Sequence, residues 1–374
     1  MWTIAIKTLI ADRGKLLTAL IGVAFSVVLV NVQGGLFLGL LRKASLLVDN
    51  CDAQIWIGHR QMHNVDLPRD IPRRWSDRIR AVQGVARVEP YLLGFSDMTL
   101  PGGGFEGILV VGVEESSLLG NAWNIQQGKP EWILKTDGVI VDSCDDDKVA
   151  SPQLGDVREV GGQRARIVAK SYGITGFMVA PYVFTTYDRA IQYLRKPPDV
   201  CSYFLVELDT GVLVDQACAD IRRVLPEAEV FPKDVYSRIS VNFWMTRTGL
   251  GISFGASTML GLLVGLVMVA QTLYALVLDR LAEYATLKAI GAQERQVFQI
   301  LFIQTLIMAI TGNALGLVVV SMIQHLFSNP RAPILIPSWL SMGSCILITV
   351  ICLISSLLPY LRIRSIDPQM VLQG

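Results

Sequence analysis

The chain has 374 residues, 52% of them hydrophobic and 17% charged, with a formal net charge of +1. Soluble domains carry about 25% charged residues, so a wholly soluble protein is excluded, and the near-zero net charge lacks the basic excess of a nucleic-acid binder. None of the six cysteines forms a C-x-x-C pair, which leaves a zinc ribbon or a thioredoxin motif without support.

Residues 1–15 (MWTIAIKTLIADRGK) place Trp2, Ile6, Leu9 and Ile10 at helical spacing, with Lys7, Asp12, Arg13 and Lys15 on other faces. The pattern predicts an amphipathic helix lying against membrane lipid. Residues 16–41 form the first apolar run. A cleaved signal peptide has an apolar core of about 7–15 residues ending at a small-residue site. This run is longer and ends LGLLRKAS, which predicts a retained spanning helix.

Residues 43–234 are soluble in composition. QIWIG (Gln54–Gly58) alternates like a strand. PRRWSDRIRAVQG (Pro72–Gly84) reads as a helix closed by Gly84. VARVEPYLL, FEGILVVGV and DGVIVDS read as strands. LGDVREVGGQRARIVAKS alternates on both sides of Gly161-Gly162, the mark of a hairpin. VAPYVFTT leads into the helix YDRAIQYL, and CSYFLVELD, VDQACADIRRVL and AEVFPKD read as strand, helix and strand. Strands and helices mix without βαβ regularity, so this block is predicted to be α+β. A disulfide among Cys51, Cys144, Cys201 and Cys218 is open to a domain outside the cytoplasm. Spacing alone does not choose a pairing.

Residues 235–251 read as a helical stalk leading directly into a second span, 252–278. A charged segment, 279–296, separates it from a third span, 297–327. A Pro-rich loop, 328–338, precedes a fourth span, 339–361, broken late by Pro359, and residues 362–374 form a tail. A bilayer crossing takes about 20 apolar residues in helix. The expected fold is therefore a membrane protein with four transmembrane α-helices and a large α+β extracytoplasmic domain between helices 1 and 2. Lys and Arg near span ends fix the orientation. Lys7, Arg13, Lys15, Arg280, Lys288, Arg295, Arg362 and Arg364 fall on one side, and Arg331 on the other; Arg42 and Lys43 run against the rule. Both termini and the 279–296 segment are expected in the cytoplasm.

In DRLAEYATLKAIGA a short helix fits from Asp279 or Arg280 to Ile290, ending at Gly291. It reads either as a solvated turn or as a docking helix that buries Leu287 and Ile290 while Glu283 and Lys288 make polar contacts. Here Arg280-x-x-Glu283 followed by Thr286-Leu287-Lys288-Ala289-Ile290-Gly291-Ala292 resembles the signature of FtsX-like ABC transporter permeases, R-x-x-E-I-G-x-L-[KR]-A-[IL]-G-A. Tyr284-Ala285 stands where that family has Ile-Gly. The tail Ile363–Pro368 and the entry AIKTLIADRGKLLTALIG are similar to the family's ends. Leu154–Val157 with its hairpin resembles an element of the MacB-like periplasmic core domain. GKLLTALIGVAFSVVL and VQGGLF look closest to DevC-like exporter permeases.

The resemblance implies an ABC exporter permease of the inner (plasma) membrane, acting by mechanotransmission in efflux or export. A separate cytoplasmic ABC ATPase would dock on a coupling helix containing Arg280, Glu283, Leu287, Lys288, Ile290 and Gly291. It further implies a permease homodimer, a periplasmic adaptor and an outer-membrane channel. An FtsX-like signalling subunit that activates a cell-wall hydrolase is the alternative. The chain contains no G-x-x-x-x-G-K-[ST] nucleotide loop. No cofactor, metal or catalytic residue is expected, and without a Ser-His-Asp or Cys-His arrangement an outer domain acting alone as an enzyme has little support.

Three weaker features complete the reading. The pairs Gly251–Gly255, Gly261–Gly265 and Gly312–Gly316 permit close helix packing, either between two permeases or within one. Asn31, Gln33, Gln271, Gln304 and Asn313 are polar within spans and should face other helices. His59, His63 and Asp66 show no helical context or third ligand for a metal, and Asp145-Asp146-Asp147 reads as a solvated acidic loop.

Overall fold

The computed structural model describes residues 13–278 and 293–356. They fall into two units, a mixed-sheet domain of residues 40–251 and a helical unit built from the segments on either side.

In the domain, α2 (Leu46–Asp49) precedes β1 (Ile55–His59), β2 (Ile71–Pro72), α3 (Trp75–Arg80), β3 (Val85–Thr99) and β4 (Phe105–Val113). After these come β5 (Ile125–Gln127), β6 (Gly138–Asp142), β7 (Val157–Val160), β8 (Gln163–Ser171), β9 (Tyr182–Thr186) and α4 (Tyr187–Leu194). The domain ends with β10 (Val200–Cys201), β11 (Tyr203–Leu208), α5 (Val214–Val224), β12 (Ala228–Pro232) and α6 (Lys233–Arg247). The main sheet runs β12-β1-β11-β3-β4-β9-β6-β8-β5, with β7 pairing β3 and β8. Most pairs are antiparallel, but β4–β9 and β6–β8 are parallel. The sheet is therefore mixed, and β9 feeds α4 as a crossover element.

Strand alternation gives the sheet two apolar faces. Ile55, Ile57, Val88, Val110 and Val206 point to one face, covered by Ile79 of α3, Ala190 of α4 and Ile221 of α5. Trp56, Leu109, Val111 and Leu205 point to the other, covered by Leu47 and Val48 of α2 and Tyr236 of α6. The β7–β8 hairpin turns at Gly161 (φ +56°) and Gly162 (φ +83°), the left-handed pair that a two-residue hairpin loop needs.

Two expectations are adjusted. The helix expected across 72–84 shrinks to Trp75–Arg80, because Ile71 and Pro72 pair with Cys201 and Val200 as a strand. The stalk helix is not continuous with the next span. It ends at Arg247, and Gly249 (φ +72°) breaks the backbone before α7 (Leu250–Leu278).

In the helical unit, α1 (Arg13–Lys43), α7, α8 (Glu294–Phe327) and α9 (Ser338–Ser355) each contain a stretch long and apolar enough to cross a membrane. Gln293 caps α8 in a reciprocal box with Gln296. The unit's core joins Val23 and Val27 of α1 to Met308, Ala309 and Val320 of α8 and Ile348 and Cys352 of α9.

Candidate functional site

The coupling residues Arg280, Glu283, Leu287, Lys288, Ile290 and Gly291 lie outside the described residues, as do residues 1–12 and the tail from 357. Among the described residues, the candidate site is the seat of α6, the helix that precedes the apolar helix α7.

α6 starts after Pro232. The Lys233 amide donates to the Gln54 carbonyl (2.9 Å) and its Nζ to the Cys51 carbonyl (2.6 Å), fixing the first turn to the strand entry. Tyr236, Ser240 and Trp244 recur every four residues, so they share one face, and all three are buried. Tyr236 packs among Trp56 (5.7 Å between ring centroids), Tyr203 (6.1 Å) and Phe231 (6.2 Å). Trp244 stacks on Phe177 at 4.0 Å, and Phe243 lies parallel to the His63 ring at 6.5 Å. Ser240 Oγ and Trp244 Nε1 are buried without a hydrogen-bond partner. Each such donor costs about 1–3 kcal/mol, so the seat is held by ring packing and opposed by unmet polar groups.

Beneath this seat lies Asp66, 1% exposed. Tyr182 donates its hydroxyl to Asp66 Oδ1 (2.7 Å), while Oδ2 has no partner. The Asp66 amide donates to Asn64 Oδ1 (2.8 Å), and the Tyr203 hydroxyl donates to the Asn64 and Val65 carbonyls. Burial pushes the Asp66 carboxyl up to about 6, against the smaller pull of the Tyr182 hydrogen bond. Tyr91, Tyr182, Tyr203 and Tyr236 are the ionisable groups that feel its charge, and burial raises all four.

In the helical unit, close packing centres on glycines. A Cβ on Gly312 or Gly316 would meet Val23 or Val27 of α1 at 2.6 Å, and one on Gly261 would meet Leu29 at 2.7 Å. These three glycines therefore serve contacts within the chain. A Cβ on Gly251 would meet the Met245 carbonyl oxygen at 2.6 Å, whereas Gly255 faces open space. Asn31 donates to Ser344 Oγ (2.7 Å), and Asn313 donates to Thr349 Oγ1 (2.9 Å) and the Cys345 carbonyl (3.2 Å). Asn31, Gln304 and Asn313 are buried between helices, but Gln271 is exposed on α7, which buries little of itself in this chain. The Leu335 amide donates to the Gly35 carbonyl (2.9 Å), strapping the 328–337 loop onto α1.

The weaker sequence features resolve into structure. His59 ends β1 and donates to the Arg60 carbonyl (2.7 Å). The acidic run is solvated only in part, since Asp147 is exposed and Asp146 half-buried. Asp145 is buried and paired with Lys148 (2.9 Å), and Asp146 is paired with the buried Lys170 (2.6 Å). The six cysteines are free thiols. Sequence reading missed Asn64, Asp142 and Phe243. Asp142 accepts from the Cys144, Gly173 and Ile174 amides and the Ser171 hydroxyl. Its partners span about thirty residues, beyond any local motif.

A family model described as MacB-like periplasmic core domain matches residues 16–224, and one described as FtsX-like permease C-terminal matches residues 255–368. Uncharacterized ABC transporter permeases from two strains of Mycobacterium tuberculosis, H37Rv and CDC 1551, are each 25% identical over 225 residues. That alignment spans 59% of this chain and 58% of each relative, less than two thirds of the relative's length. Among solved structures, the periplasmic region of MacB from Actinobacillus actinomycetemcomitans is similar at 9% identity and a TM-score of 0.40, covering 52% of this chain and 96% of that one. The extracellular domain of the noncanonic ABC-type transporter YknZ from Gram-positive bacteria is similar at 12% identity and a TM-score of 0.37, covering 48% of this chain and 98% of that one.

Proposed function

We propose that this chain, which belongs to the ABC transporter permeases of the FtsX-like and MacB-like family, is the membrane subunit of an export complex and passes ATP-driven motion to a domain outside the cytoplasm. The observation that supports this reading is the seat of α6. Its buried residues Tyr236, Ser240 and Trp244 are part of the domain's interior, and only Thr248 and Gly249 separate Arg247 from the apolar helix α7. A displacement of α7 along its axis would reach the domain through covalent chain and packed rings. Gly249 supplies the pivot.

In this reading a separate cytoplasmic ATPase docks on Arg280, Glu283, Leu287, Lys288, Ile290 and Gly291. Two permeases pair in the inner membrane with their termini in the cytoplasm. A periplasmic adaptor and an outer-membrane channel continue the path.

Replacing Glu283→Ala or Leu287→Ala should remove most of the ATPase that co-purifies with the permease and the coupled ATP hydrolysis, with membrane insertion intact. Unchanged coupling in both variants would sink the docking role. The orientation has its own check by cysteine labelling. Gln163→Cys, on the exposed β7–β8 turn, should react with an impermeant maleimide in intact cells above the parent's background, and Glu283→Cys only after lysis. The reverse pattern would overturn the placement of the domain outside.

A further inference from the structure

We propose that the mixed-sheet domain contains a binding pocket for a small organic carboxylate, set between the 59–69 loop and the α6 residue Phe243. The proposal goes beyond the export reading and does not depend on it.

The pocket has a volume of about 190 Å³, room for about six waters at ~30 Å³ each, so it suits a single-ring or short-chain group rather than a drug-sized ligand. Its polar wall carries Arg60, Arg69, His59 and His63, and none of its described lining residues is acidic. Its apolar wall is Phe243, with Met62 and Leu67. Cationic forks and a ring lining one pocket select an anion attached to an apolar body, and Arg pairs a planar carboxylate bidentately.

Asn64 supplies an independent observation. It lines the pocket, is 3% exposed, and its Nδ2 has no hydrogen-bond partner. The amide's orientation is set by the network, because Oδ1 accepts the Asp66 amide proton, which leaves Nδ2 as the unmet donor. Buried unmet donors are rare in folded proteins, and a carboxylate oxygen is the acceptor this one lacks. Gln61, at the turn of the same loop, holds φ at +62°, a conformation costly for a non-glycine residue and frequent at ligand clamps. Arg60 is anchored by donating Nη2 to the Pro226 carbonyl (2.7 Å), and its charge also acts on the nearby Glu227 carboxylate, so Arg69 is the arginine on which the test rests. An occupant would touch both the loop and Phe243, so it would also brace α6.

The test is a titration of the full-length permease in detergent with sodium benzoate, followed by ligand-observed NMR and by the melting temperature. Benzamide and inorganic phosphate serve as companion probes, one lacking the charge and the other lacking the ring. Benzoate should bind saturably, about tenfold more tightly than benzamide, in keeping with a charge-assisted contact. Arg69→Gln should weaken it severalfold. Arg69 is exposed, so that variant should keep the parent's melting temperature without ligand. Asn64→Asp, which puts a like charge at the floor, should abolish binding. Non-saturable benzoate signals, equal binding of benzamide, or indifference to Arg69→Gln would overturn the proposal. Phosphate binding as tightly as benzoate would overturn the carboxylate assignment and mark a simple phosphate site.

Discussion

Replacing Asp66→Asn should flatten the pH profile of the mixed-sheet domain's stability and raise that stability at neutral pH. The folded carboxyl titrates at about 6 against an ordinary value of 3.8. A raised acid pKa means that the folded state holds the proton more tightly than the unfolded chain. Stability is therefore highest below the ordinary value, falls as pH rises from about 4, and reaches its floor above about 6. The shift corresponds to about 3 kcal/mol lost at neutral pH. The Asn variant loses about 1 kcal/mol at every pH to an amide donor left without a partner, so it should fall slightly below the parent near pH 4 and exceed it near pH 8 by about 2 kcal/mol. Denaturant unfolding of the permease in detergent, read by near-ultraviolet circular dichroism of the aromatic cluster, would measure it. A parent whose stability is flat between pH 4 and 8, or a variant that tracks the parent, would refute the buried ionisation.

Gly39→Ala should destabilise the helical unit, whereas Gly255→Ala, the same change in another long apolar helix, should not. Ala favours a helix over Gly by about 1 kcal/mol, so a glycine with space around it gains from the exchange. At Gly255 a Cβ meets nothing within 4 Å. At Gly39 the Cβ would run into the carbonyl of Pro333. That obstacle is backbone in a Pro-rich loop, so it cannot yield by a rotamer change. The loop must lift from α1, straining the hydrogen bond from the Leu335 amide to the Gly35 carbonyl. Overpacking of this kind costs about 1–3 kcal/mol or more. A drop in melting temperature for Gly39→Ala, with no drop for Gly255→Ala, is the expected pair of results. Equal behaviour of the two variants would show that the loop does not rest on α1.

Much of the architecture was legible before any coordinate. Apolar runs of spanning length stand out because a helix in lipid must be apolar all round. FEGILVVGV and YDRAIQYL coincide with β4 and α4, since each carries its own periodicity. The Gly161-Gly162 turn was legible because only that pair accepts the left-handed backbone the hairpin demands. Where local pattern and partner disagreed, the partner won. Pro72 reads as a helix start but pairs as a strand with Val200, and the continuous stalk pattern hides the break at Gly249.

The sequence by itself determined that this chain holds several apolar helices before and after one mixed domain in chain order, and it carried at 279–292 a segment that resembles the FtsX-like signature. Those are properties of composition, period and short motif, which need no neighbour to be meaningful. Only the tertiary structure decided which glycines are used up within the chain, that Asp145 and Asp146 pair with Lys148 and Lys170, and that Asp66, Asn64, Tyr182, Tyr203 and Tyr236 meet beneath one helix. Those residues come from segments as far apart as Asn64 and Tyr236. Burial, unmet hydrogen bonds and a raised pKa are properties of what surrounds a side chain, and the surroundings are set by the fold.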